Sequence, residues 1–437
     1  MKVIREVRNP VRYSLWLMLF LTLCLLFAEH NSPVQTHNMD VDYMVNRQSG
    51  TLMRQLAYIS IGALGFIGTY YTLILQRVRL RWNRTVTIVL GLLLSWSFLS
   101  LLWATAPAIA ARRLFVLALM FLGAMGLALS WKRAEILKFM AWSSAIQITL
   151  GFVAELLYGY FTPWQSDYRF SGTLPGNREG YVCLVLTLST LCLAHLNQRG
   201  RWFYLVLSGY GLVSLLLTRS RGGLLAFGSA LVLYFLITLK IRERFLITLG
   251  IGTLALIVII SGVAPTLMST LNRGGEGSDD FDGRGPLWEE LLTYVDRRPL
   301  IGYGYENFWT IARIDDISSD QRWAITGAHS GYIESLLEIG WIGATLHMLT
   351  LLVCMGAGIR LFKRTGDYAY FLGAALCLIY LVGGLLEGIL IIKASEISFY
   401  FAVSLCVMTV QTEQGPEDGA ISSAENWSHA GRAARLA

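Results

Sequence analysis

Long apolar runs alternate with short polar connections along almost the whole chain. A helix crossing a bilayer needs roughly 20 apolar residues to span about 30 Å of hydrocarbon. About twelve runs approach that length: 13–29, 55–76, 85–104, 113–130, 134–158, 180–196, 202–218, 222–239, 245–263, 338–360, 368–391 and 395–412. The first reads as a span and not as a cleaved leader, because Ala28-Glu29-His30 supplies no small-x-small cleavage site. The connections at 104–113 and near Lys393 are so short that the adjoining spans are expected to bend or tilt. The pattern predicts an all-α polytopic membrane protein, with spans one to nine in residues 1–263 and spans ten to twelve in 332–412. Residues 413–437 are polar and rich in Ser, Gly and Ala, the composition of a disordered tail.

Basic residues orient these spans. Lys2, Arg5, Arg8 and Arg12 precede the first run. Alternate connections then carry Arg77, Arg79, Arg81 and Arg84; Lys132 and Arg133; Arg199 and Arg201; Lys240, Arg242 and Arg244; and Arg360, Lys363 and Arg364. Positively charged short loops stay on the cytoplasmic side, so segments 30–54, 159–179 and 264–331 are expected to face outward. Segment 264–331 is the longest hydrophilic piece. Its Gly, Asp and Arg content is too high for lipid, and its Trp, Tyr and Phe content too high for a tether. Connections of this length are usually functional, so the working site is expected in this loop, on the periplasmic face.

Composition narrows the class. Of 437 residues, 54% are hydrophobic and 15% charged, against about a quarter charged in soluble domains, which excludes a large cytosolic enzyme. The formal net charge is +7, and no nucleic-acid partner is expected. All six cysteines lie in apolar runs without CxxC spacing and read as buried free thiols.

Four polar clusters fall on the outward side. Arg219-Ser220-Arg221-Gly222-Gly223 joins two spans; paired guanidiniums at a helix start suit a phosphate or diphosphate, although snorkelling to lipid phosphates explains them as well. Arg112 and Arg113 form a similar pair beside an uncertain boundary, where a structural role is preferred. Asp279-Asp280-Phe281-Asp282-Gly283-Arg284-Gly285-Pro286 starts a helix expected over 286–296, with Leu287, Leu291 and Tyr294 on one face. Arg284 would sit at its positive end or bridge to the neighbouring aspartates. Pro299-Leu300-Ile301-Gly302-Tyr303-Gly304-Tyr305-Glu306-Asn307 presents rings that either stack on sugars or form the loop's own core. In Gly327-Ala328-His329-Ser330-Gly331, His329 stands where the loop meets a span, and an imidazole there can accept a proton near neutral pH.

Taken together, these clusters resemble the O-antigen ligase and polymerase superfamily. The resemblance rests on Ser220-Arg221-Gly222, Gly283-Arg284 with Trp288, Arg298 to Gly304, Ala328 to Tyr332, and Glu338-Ile339-Gly340-Trp341-Ile342-Gly343, and covers most of the chain. Gly-Tyr-Gly-Tyr, the Phe308-Trp309 pair and the spacing from Trp323 to His329 look more like exopolysaccharide repeat-unit polymerases than lipopolysaccharide ligases. Ser330 departs from the Asn that many members carry after the histidine. The resemblance implies a GT-C-like bundle in the bacterial inner membrane. It also implies metal-independent, inverting transfer of a glycan from undecaprenyl diphosphate to a sugar hydroxyl, with no cofactor. His329 would be the general base, Arg221 and Arg284 would stabilise the leaving diphosphate, and Arg219 would be a weaker helper. Arg169 and Arg178, in a segment resembling the family's outer glycine motif, would hold the donor with Tyr303 and Tyr305. The acceptor would be a glycan or lipid A–core, and membrane lipids, a chain-length regulator and a flippase are the implied partners.

Two other readings stand. A ligase would use the same donor and differ in acceptor. A lipid-linked glycan flippase would need ionisable residues lining a path through the spans, for which Glu155 and Glu387 are the main candidates.

Overall fold

A computed structural model describes residues 11–29, 52–165, 168–238, 280–321, 325–389 and 392–412. It is a helical bundle: α1 Leu15–Glu29, α2 Leu52–Tyr70, α3 Arg84–Leu99, α4 Pro107–Ser130, α5 Arg133–Tyr158, α6 Gly176–Leu196, α7 Arg201–Leu217, α8 Arg221–Thr238, α9 Asp280–Arg297, α10 Ile311–Gln321, α11 Gly331–Thr365, α12 Tyr368–Gly383 and α13 Glu396–Thr409. Eleven of these match expected apolar runs, while 245–263, the start of the long hydrophilic loop and the tail after 412 lie outside the described residues. Seven helices among the described residues are long and apolar enough to cross a membrane; α1, α7, α12 and α13 are shorter apolar helices. The chain is a multi-pass membrane protein.

Packing follows side-chain size. Gly65 on α2 lies so close to α4 that its β-carbon would stand 2.2 Å from Leu122 O and 2.4 Å from Gly123 Cα, and a β-carbon on Gly126 would stand 2.4 Å from Gly65 Cα. Small residues let helices approach where lipid supplies no hydrophobic drive. The six cysteines are free and buried.

Contacts between connections group them into two ends. At one end, Trp131 Nε1 donates to Val11 O (2.7 Å) and Arg133 bonds Asp367. There β1 (Leu80–Trp82) also pairs antiparallel with β2 (Val410–Thr412), Arg81 opposite Gln411. At the other end, Arg113 pairs with Glu306 (3.5 Å), Asn307 bonds Thr105 and Ala106, and Glu29 faces Arg54 (3.5 Å) and Arg178 (3.6 Å). This second end gathers the segments expected to face outward.

Two expectations change. The expected helix over 286–296 starts earlier, at Asp280, and carries Pro286 inside it, though Leu287 and Leu291 are buried on one face as the pattern required. The expected span 368–391 is helical only to Gly383. The apolar residues beyond it form an irregular stretch of turns, with Leu386 N and Glu387 N donating to Gly383 O.

Helix α11 is broken at Gly340, whose φ of +66° and ψ of −175° are not helical. The break frees backbone groups, and the 299–304 turn takes them up. Tyr303 N donates to Leu337 O (2.8 Å) and Gly304 N to Glu338 O (2.8 Å), while Trp341 N and Ile342 N donate to Pro299 O (2.8 Å) and Leu300 O (3.3 Å). Trp96 Nε1 supplies Ile339 O (3.0 Å), and Trp103 Nε1 supplies Ile301 O (3.0 Å). The two glycine motifs noticed in sequence, 298–304 and 338–343, are thus two halves of one joint. A small core of Leu287, Leu291, Phe308, Trp309, Ile314 and Ile317 packs α9 and α10 above it.

A β-carbon at Gly340 would lie 2.3 Å from Leu300 O. Gly340→Ala therefore combines a left-handed backbone with a backbone clash and should cost more than about 3 kcal/mol. Gly91, with open space around it, is the control: Gly91→Ala should leave the thermal midpoint of the solubilised protein unchanged or slightly raised. Equal midpoints for Gly340→Ala and wild type would contradict the joint.

Candidate functional site

The irregular stretch 384–389 is where the separated motifs meet. Gly331 N donates to Gly384 O (2.7 Å), bringing the start of α11 to it. Arg284, in the early turns of α9, donates through Nη1 to Leu386 O (2.6 Å), and its Nη2 lies 3.8 Å from Glu387 Oε1. Asn177, in the first turn of α6, also donates to Glu387. A β-carbon on Gly222, beside Arg221 at the start of α8, would lie 3.7 Å from Glu387 Cγ and 3.1 Å from the Tyr181 hydroxyl. Ser220 caps this helix, accepting from Gly223 N (3.1 Å). Three helix starts and the His329 turn thus converge on one short segment.

His329 is half-buried and adopts φ +49°, a left-handed conformation that is uncommon outside glycine. Its neighbours hold it there. Ala328 N donates to Glu334 Oε2 (2.9 Å), and Ala328 O accepts from Trp288 Nε1 (2.9 Å). Glu334 Oε1 accepts from Trp309 Nε1 (3.0 Å) and lies 3.5 Å from Lys393 Nζ. Burial, then the positive charges of Arg284, Arg178 and Lys393, push the imidazole down to about 4. Burial pulls Lys393 down too, but Glu334, Glu306 and Glu338 outweigh it and hold the ammonium above its ordinary value.

The expected residues divide. Arg284, Arg178 and His329 come together, with the Arg221 turn against Glu387. Arg169 instead ties two connections, with Nε donating to Thr218 O (2.8 Å) and a bond to Asn177. Arg219 sits at φ +47° in the tight turn before α8. Tyr303 and Tyr305 are buried, Tyr303 against Phe308 (5.2 Å) and Tyr305 with its hydroxyl on Ile392 O. They pack as core and offer no open face for sugar stacking. Glu155, a candidate for a transport path, accepts from Tyr168 Oη (2.6 Å), Ser171 N (2.9 Å) and Gly172 N (2.8 Å), and so shapes the 168–172 turn.

Sequence reading missed Glu29, Glu334 and Lys393, the counter-ions and clamp of the site. A signal existed: acids and lysines at the edges of apolar runs are costly and usually have partners.

Comparison with known families uses the same residues. Residues 203–348, from α7 into α11, match the family model described as O-antigen ligase and include Arg221, Arg284 and His329. The match spans about a third of the chain, and that stretch is similar to the O-antigen ligase family. Among curated proteins no match is found.

The depressed His329 ties stability to pH. With an ordinary value near 6.5 in the unfolded chain and about 4 when folded, the fold disfavours the proton. Stability from this group is complete above about pH 6.5 and falls as pH drops toward 4, by at most about 3 kcal/mol. Thermal melts between pH 7.5 and 4.5 should therefore fall more steeply for wild type than for His329→Gln. Parallel slopes would contradict the buried, cation-flanked imidazole.

Proposed function

We propose that this protein belongs to the O-antigen ligase and polymerase superfamily and is an inner-membrane glycosyltransferase working at the periplasmic face on a glycan carried by undecaprenyl diphosphate. The observation that carries this reading is the convergence of Arg178, Arg284 and the Arg221 turn beside His329 at one end of the bundle. An acceptor hydroxyl attacks the anomeric carbon from the face opposite the diphosphate, so the configuration inverts. The C–O bond to the diphosphate breaks and the lipid diphosphate leaves with the electron pair. His329 takes the proton of the attacking hydroxyl. Arg284 and Arg221 stabilise the charge that grows on the leaving oxygen, a role preorganised cations fill well. No step in this chemistry calls for a metal. The polyprenyl tail stays in the bilayer while the sugars react above it.

Repeat-unit polymerisation is the favoured activity, on the resemblance of the Gly-Tyr-Gly-Tyr turn and the Phe-Trp pair. Ligation of finished polymer to lipid A–core is the alternative, since the donor chemistry is shared. The family model's own description, O-antigen ligase, is compatible with either. A flippase is less well supported: Glu387 is engaged at the bundle end by Arg284 and Asn177, and Glu155 by a turn, so neither candidate is a free ionisable group along a path.

Deleting the gene and analysing glycan on undecaprenyl diphosphate separates these readings. A polymerase predicts accumulated single repeat units, with His329→Ala giving the same profile. Long lipid-linked polymer beside uncapped lipid A–core would mean a ligase. No accumulation, with His329→Ala behaving as wild type, would overturn the enzyme reading.

A further inference from the structure

The carboxylate best placed to control His329 is not one of the groups assigned above. Glu334 is fully buried one turn inside α11, and both its oxygens are in use. Oε2 reaches back to the peptide just before His329, through Ala328 N at 2.9 Å. Oε1 takes the Trp309 indole at 3.0 Å and faces Lys393 at 3.5 Å. The next peptide is held through its carbonyl, Ala328 O, by the Trp288 indole, and Gly331 is tied to Gly384. A left-handed, non-glycine backbone costs on the order of 1 kcal/mol or more and persists only where its surroundings fix it. Here Glu334 supplies that fixing bond.

Lys393 comes from a different element, the connection into α13, where it lies 3.5 Å from Glu334, and its charge acts on His329 after those of Arg284 of α9 and Arg178 of α6. Each of these three cations faces a carboxylate: Glu29, shared with Arg54, for Arg178 at 3.6 Å, Glu387 for Arg284 at 3.8 Å and Glu334 for Lys393 at 3.5 Å. Glu334 therefore acts twice, fixing the His329 backbone and anchoring a cation beside the ring.

We propose that Glu334 and Lys393 form a positioning pair for His329: Glu334 sets the geometry of the turn, and Lys393, carried by Glu334, biases the imidazole toward its neutral, proton-accepting form. The proposal rests on the reading of His329 as the base. The charged groups acting on that ring are Arg284 on α9, Arg178 on α6 and Lys393 before α13, with Glu387 after α12, Glu29 on α1 and Glu334 on α11 as their respective counter-ions.

The test uses full-length protein reconstituted in vesicles with the lipid-linked glycan of its host as donor, following chain growth or transfer against pH. Lys393→Met removes one positive charge from the ring's surroundings, so the acid limb of kcat/KM should move to higher pH. Lys393→Arg keeps the charge and should restore the wild-type limb. Glu334→Gln offers an amide N–H where the site needs an acceptor, so it should lower kcat at least tenfold with donor KM changed less than threefold. If Glu334→Gln fails to fold, the Lys393→Met and Lys393→Arg pair decides alone. His329→Ala is the reference: full activity there would sink the base reading itself. An inactive His329→Ala alongside a Lys393→Met profile superimposable on wild type would overturn the positioning pair and leave the base reading standing. A Lys393 that merely supports folding would lower the yield of active protein without moving the acid limb.

Discussion

A helix interrupted among apolar neighbours must return its freed backbone groups to partners, because nothing in a hydrocarbon layer will take them. That requirement organises the working end of this protein. The break at Gly340 exposes carbonyls and amides, and the 299–304 turn meets them with a short ladder completed by the Trp96 indole. The turn cannot dock without bringing α9 and α10 over the bundle. The first part of α11, which carries Glu334 and follows His329 directly, is set at a fixed angle to the rest of the helix by the same joint. Backbone satisfaction at one glycine therefore fixes the position of the candidate base.

Electrostatics then act on that scaffold. Removing ions from water is expensive, and attraction repays the cost only with good geometry and further hydrogen bonds. The site meets this by pairing: Arg178, Arg284 and Lys393 each face a carboxylate, yet at 3.5–3.8 Å rather than at tight hydrogen-bond distance. In the proposed reaction, such loosely paired cations would exchange a carboxylate for the doubly charged diphosphate, while the field they share favours the neutral imidazole. Three half-buried cations held in place in advance need little rearrangement to meet charge developing on a leaving group.

Much of this was legible in the chain. Apolar runs located eleven described helices, and Leu287 and Leu291 identified the buried face of α9. The glycine motifs at 298–304 and 338–343 were recognisable, but not as partners, because a contact between two backbones leaves no complementary pattern of side chains. The end of α12 was hidden for a related reason: Leu385, Leu386 and Ile389 read as span residues by hydropathy, whereas the chain leaves the helix after Gly383. Tyr303 and Tyr305 looked like sugar platforms, but rings beside glycines serve a tight core equally well. Glu334 and Lys393 escaped notice because their meaning lies in a pairing across 59 residues, which no local spacing reveals. The pairing of β1 with β2 is of the same kind, two three-residue segments far apart in the sequence.

The central claim is that Arg284, Arg221 and His329 enclose one diphosphate-binding site over residues 384–389. A cryo-EM structure of the protein in lipid nanodiscs with a bound polyprenyl diphosphate tests it directly. The account predicts phosphate oxygens about 3 Å from the Arg284 guanidinium, with Glu387 displaced from it and the diphosphate lying between His329 and the start of α8. A diphosphate bound at the opposite end of the bundle, with the Arg284–Glu387 pair undisturbed, would contradict it.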